Sequence, residues 1–112
     1  MKREFVSTQI FDKKWEELQL NDDILRLLQT YIMDNPDAGD MIEGTGGLIK
    51  LRWALPYTGK SGGIRVLYID FIRQEIVVLV NCYSKSVKDN ISVKEKAMYR
   101  DFIKRIGKVM RS

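Results

Sequence analysis

The chain has 112 residues, 45% apolar and 30% charged, with a net charge of +4, a composition that suits one globular domain, 1–112, built on a single core. With one cysteine and no histidine, it can form no internal disulfide and no Ser-His or Cys-His catalytic arrangement, and a zinc site would lack its usual ligands. No apolar run approaches the roughly 20 residues that cross a bilayer and no secretory h-region opens the chain, so a cytoplasmic protein with no membrane contact, metal or cofactor is expected.

The first stretch, "EFVSTQ", is short and suits an edge strand. In "IFDKKWEEL", Phe11, Trp15 and Leu18 recur at helical spacing and predict a first helix. "LNDDILRLLQTYIMDNP" predicts a second, capped at Asn21 or Asp22, with an apolar stripe of Ile24, Leu28, Tyr31 and Ile32 and a stop before Pro36. The two helices form an antiparallel hairpin. After "DAGDMIEGTGG" the pattern turns to β. In "LIKLRWA", Ile49, Leu51 and Trp53 point one way and Lys50 and Arg52 the other. "GGIRVLYIDF" and "EIVVLVNCYSK" read as two strands of an antiparallel hairpin. "SVKEKAMYRDFIKRIGKVMR" predicts a last helix that opens on a Ser92/Glu95 capping box. Its buried stripe is Tyr99, Phe102, Ile103, Ile106 and Met110, with Lys96, Arg100, Lys104 and Lys108 on the wet side. The order β-α-α-β-β-β-α predicts an α+β protein with a small, mostly antiparallel sheet and helices packed on one face.

Charge is unevenly spread. Residues 1–43 carry 5 basic and 10 acidic side chains, and residues 44–112 carry 14 and 5, so net charges of −5 and +9 make up the total of +4. The basic part suits phosphates or an acidic partner. Within it, "ALPYTGKSGG" holds the GKS of a nucleotide-binding P-loop. The glycine that such a loop needs five residues earlier is Ala54, Pro56 removes an N–H, and a strand follows where a helix is required. A nucleotide cradle is therefore not expected.

An antiparallel sheet covered on one face leaves the other free for function. Lys50 and Arg52 share a face, Arg65 interrupts an apolar run, and Asn81, Tyr83 and Lys85 alternate with Val80 and Cys82. If the three strands are adjacent, Lys50, Arg52, Arg65, Tyr83 and Lys85 converge on one surface, with Lys60 in the loop above. That is a phosphate-binding arrangement. An ordinary solvated sheet face has the same pattern. Cys82, Trp15 and Trp53 read as core residues.

Three blocks, "NPDAGDMIEGTGGLIKLRWA", "GKSGGIRVLYI" and "NCYSKSVKDNIS", together resemble the RelE/ParE-like toxins of type II toxin–antitoxin modules, in particular the HigB branch. The resemblance runs over nearly the whole chain and implies the β-α-α-β-β-β-α fold. It implies a ribosome-dependent mRNA interferase, in which a 2′-OH attacks its adjacent phosphate and translation stops. Charge on that phosphate must be neutralised and protons exchanged, work that this family gives to Lys, Arg and sometimes Tyr. Carried over by motif, Arg65, Lys50 and Arg52 form the catalytic cluster, with Lys85 and Tyr83 beside it and Lys60 and Lys88 as RNA-binding residues. Ser86, and a residue near Ser92, stand where some relatives carry an Arg and a catalytic Tyr. Ile49 stands where branch members often carry a basic residue. The implied partners are mRNA, the ribosome and an antitoxin of the helix-turn-helix, HigA type, which alone would contact operator DNA. A ParE-like gyrase poison, or a degenerate member that only binds RNA or its antitoxin, are the alternatives.

Overall fold

The structure, a computed structural model, describes residues 2–55, 63–88 and 90–111. The elements run β1 (Glu4–Ser7), α1 (Gln9–Glu17), α2 (Asp22–Asp34), β2 (Asp40–Met41), β3 (Ile49–Trp53), β4 (Ile64–Phe71), β5 (Ile76–Ser84) and α3 (Val93–Arg111). They form a five-stranded sheet in the order β1-β5-β4-β3-β2. β1 pairs with β5 in parallel and every other pairing is antiparallel. The expected α+β class and mostly antiparallel sheet hold. The two-residue β2 is the one element beyond the expected order.

Local chemistry accounts for the helix starts. Thr8 caps α1 by accepting the Phe11 N–H at 3.0 Å, and its hydroxyl donates to the Val80 carbonyl at 2.7 Å, which ties the cap to β5. Asn21 caps α2 by accepting the Ile24 N–H at 2.9 Å. The capping box of α3 forms reciprocally, each of Ser92 and Glu95 accepting the other's N–H at 3.1 Å.

Strand alternation sorts the core into two layers. Ile64, Val66 and Tyr68 of β4, with Leu51 and Trp53 of β3, pack against Phe11, Trp15, Leu28 and Ile32 of α1 and α2. Leu67, Ile69 and Phe71, with Val78 and Val80 of β5, face Ile103, Tyr99, Phe102 and Ile106 of α3. Helices thus lie on both faces: α1 and α2 cover one as expected, and α3 covers part of the other. The reason is β4 itself, whose residues from Ile64 to Ile69 are all buried. A strand apolar on both sides needs a layer on each. Trp15, Trp53 and Cys82 are core residues, and burial pushes the Cys82 thiol up to about 12. Tyr31, expected in the stripe of α2, is exposed, and Leu25 packs inward in its place.

Glycines with positive φ shape the approach to both basic strands. Between β2 and β3, Gly44 and Gly46 take φ of +83° and +82°, where a side chain is strained. They let fully buried Thr45 donate to the Ile42 carbonyl at 2.6 Å and accept the Leu48 N–H at 3.1 Å. Before β4, Gly63 has φ +61°, and a Cβ there would collide with the Trp53 carbonyl oxygen.

Candidate functional site

The site forms on the α3-side face of the sheet, at the end that α3 leaves uncovered. Register sets Arg52 of β3 opposite Arg65 of β4, and Arg65 opposite Tyr83 of β5. Paired residues project to the same face, so Arg52, Arg65 and Tyr83 form a row across three strands. Lys50 projects beside them, opposite Leu67. The row grades from open to closed: Arg52 is exposed, Arg65 is 4% exposed and Tyr83 7%. Arg52 and Arg65 occupy directly opposed positions, so β3 and β4 set two arginines side by side on this face.

Tyr83 reaches this row through an irregularity. Leu67 pairs with Asn81 but the next residue, Tyr68, pairs with Leu79, so Val80 is an extra residue in β5. The bulge reverses the alternation beyond it. Without it, Tyr83 would point into the α1/α2 core and Cys82 to the basic face. Asn81 holds the bulge, accepting the Cys82 N–H at 2.8 Å and donating to the Tyr99 hydroxyl of α3 at 3.0 Å.

The flanks come from the segment between β5 and α3. The Lys88 ammonium lies 5.0 Å from the Tyr83 ring centroid, a cation–π contact, and pairs with Glu95. Lys88, with help from Ser92, holds the Glu95 carboxyl below its ordinary range. The Lys50 ammonium donates to the Asn90 side chain at 3.0 Å. Lys88 is thus tied both to the ring of the row's inner end and to the first turn of α3.

Five of the seven residues singled out in the sequence therefore gather here: Lys50, Arg52, Arg65, Tyr83 and Lys88. Lys85 lies beyond the end of β5, exposed in a turn, so strand alternation does not direct its side chain at the row. Lys60 lies outside the described residues. Asn81 is legible only as a neighbour on the Tyr83 face, and Asn90 and Tyr99 carry no local sequence signal of a site, since their roles exist only across elements.

The sequence charge split has a spatial counterpart. α3 carries seven basic and two acidic side chains, whereas α1 and α2 together carry three basic and six acidic ones. The helical layers on the two sides of the sheet thus have opposite sign, and the row lies on the positive side. Among the described residues no helix is long and apolar enough to cross a membrane, and no group of His, Cys, Asp and Glu could hold a metal ion. A face of this sign suits a polyanion, and guanidinium groups in the row are of the type that grips phosphate oxygens.

The chain is similar in structure to an arginine double mutant of the E. coli toxin RelE in the free state, with a TM-score of 0.57 and 16% identity, over 95% of this chain and 99% of that one. At that identity the likeness establishes the fold alone. A family comparison matches residues 3–112 to the RelE toxin of the RelE/RelB toxin–antitoxin system. That match takes in every strand and helix of the sheet, the Arg52–Arg65–Tyr83 row among them, and on it the chain belongs to the RelE toxin family, the toxin half of a toxin–antitoxin pair.

Proposed function

We propose that the protein, as one toxin domain over 1–112, is a ribosome-dependent mRNA interferase of the HigB branch. It acts in the cytoplasm and is neutralised by a helix-turn-helix antitoxin that carries the operator-binding role. The observation that supports this most is the Arg52–Arg65–Tyr83 row, with Lys50 and Lys88 at its flanks. In the reaction, the 2′-OH forms a bond to the adjacent phosphorus as the bond to the 5′ oxygen breaks. The products are a 2′,3′-cyclic phosphate and a 5′-OH. Arg65, backed by Arg52, neutralises the charge that grows on the non-bridging oxygens. One proton leaves the 2′ oxygen and one reaches the 5′ oxygen, and these transfers fall to Lys50 and Tyr83. The chemistry needs no bound metal, because guanidinium groups supply the positive charge.

The test is translation of a defined mRNA in a purified bacterial system, with cuts mapped by primer extension and a parallel reaction without ribosomes. Wild type should cut only with ribosomes, and Arg65→Ala should lose about a hundredfold or more of the rate, as loss of a transition-state charge contact does. Intact mRNA with folded wild-type protein would sink the nuclease reading. Toxicity that survives Arg65→Ala would point instead to inhibition by protein–protein contact.

A further inference from the structure

A second basic feature lies outside the row. Lys96, Arg100, Lys104 and Lys108 are spaced four apart on α3, which places them one above another along one ridge. At the rise of an α-helix the ridge is about 18 Å long. Arg100, Lys104 and Lys108 are exposed. None of the four has an ion-pair partner among the described residues, although the acids Glu95 and Asp101 lie on the same helix. Like charges one turn apart repel and weaken a helix. Inside the fold this cost is offset at Arg100, which donates to the Gly44 carbonyl, and at Lys108, which lies in the last turn of the helix, whereas Lys96 and Lys104 have no ion pair among the described residues.

Its direction is known from two contacts. Arg100 donates to the Gly44 carbonyl at 3.1 Å, and the site of a Cβ on Gly46 lies 3.9 Å from Ile103. The ridge thus overlooks the loop that leads into β3, the strand of Lys50 and Arg52. Tyr99 and Asn81 mark the opposite flank of α3, toward β5. At its far end, the Arg111 guanidinium packs over Gly107, where a Cβ would sit 2.6 Å from Nη2, and so adds a fifth cation. The Arg65–Arg52–Lys50 cations and the α3 ridge thus lie on the same side of the sheet, with Asp40 set across from Lys50 between β2 and β3.

We propose that this ridge is a second binding site, one that takes the sugar–phosphate backbone of the RNA strand running out of the Arg52–Arg65 row. The ridge has no aromatic side chain for stacking bases, so it recognises backbone charge and not sequence. It sets how tightly the message is held while the row does the chemistry. This rests on the nuclease reading for the identity of the strand.

The experiment compares wild type with the triple variant K96Q/K104Q/K108Q, which spares Arg100 and its loop contact. Fluorescence anisotropy would follow binding of 2′-O-methyl RNAs, which lack the attacking hydroxyl, of about 4 and about 16 nucleotides. For single strands the slope of log K against log salt changes by about 0.7 per phosphate contact, so the longer RNA should lose about 2 from its slope. The short RNA should bind unchanged, and the lysine-to-arginine triple should restore the wild-type slope. Circular dichroism confirms that α3 is intact. An unchanged slope with the longer RNA overturns the proposal, as does an equal loss for both lengths. So does weakened binding of the antitoxin or of ribosomes alone. The cutting assay run alongside separates the two readings. Normal cutting with an unchanged slope removes the ridge only. A ridge-dependent slope without any cutting removes the nuclease reading only.

Discussion

Thr45→Val tests the loop that delivers β3 to the site. Valine matches threonine in shape, so the change removes a hydroxyl and little else. That hydroxyl is fully buried and serves two backbone groups, the Ile42 carbonyl and the Leu48 N–H. Each would be left unsatisfied beside the fully buried Leu48, at about 1–2 kcal/mol apiece, so the loss should be about 2–4 kcal/mol. For a chain of this size that lowers Tm by about 10–15 °C. The assay is urea unfolding followed by circular dichroism, with the slope m compared so that a change in midpoint reads as stability. Thr45→Ser is the control. It keeps both hydrogen bonds and loses one methyl, costing about 1 kcal/mol. If Thr45→Val is as stable as Thr45→Ser, the hydroxyl does not hold the loop, and the account of this turn is wrong.

Two further outcomes follow from other parts of the fold. Gly63→Ala should destabilise by about 2–4 kcal/mol, because a left-handed backbone and a collision with the Trp53 carbonyl act together; a urea midpoint within error of wild type would refute this. Glu95 makes the start of α3 sensitive to acid. Its folded pKa lies below the unfolded value, chiefly through Lys88, so its stabilisation is complete above the unfolded pKa and is lost as pH falls through the folded one. Urea midpoints from about pH 7 to pH 3 should therefore fall less in Glu95→Gln than in wild type, since the unfolded value is about 4.3. Parallel curves would show that the Lys88 pair contributes nothing.

The legible part of this protein is the part governed by local periodicity. The Phe11/Trp15 and Leu28/Ile32 spacings, the alternation from Ile49 to Trp53, and the Ser92/Glu95 box each depend on neighbours a few residues apart. All recur in the structure as read. The pairing of Lys50 with Arg52 on one face is legible for the same reason. Position across the sheet is not. Nothing in "EIVVLVNCYSK" says that Val80 is a bulge, because the bulge exists only against the ladder of β4 and is held by Tyr99 from another element. A strict alternation places Val80 and Asn81 on opposite faces, whereas both turn toward α3.

By itself, then, the sequence determined the three helices, the four longer strands, most of the core and which cations share a strand face, since each is a matter of short-range period and apolar content; the two-residue β2 and the exposure of Tyr31 lay beyond it. Only the tertiary structure decided that Tyr83 lies beside Arg65, that α3 lies over the face opposite α1 and α2, and that acidic and basic helices end on opposite sides of one sheet. Those follow from strand register and layer packing, which couple residues far apart in the chain and leave no mark on any single segment of it.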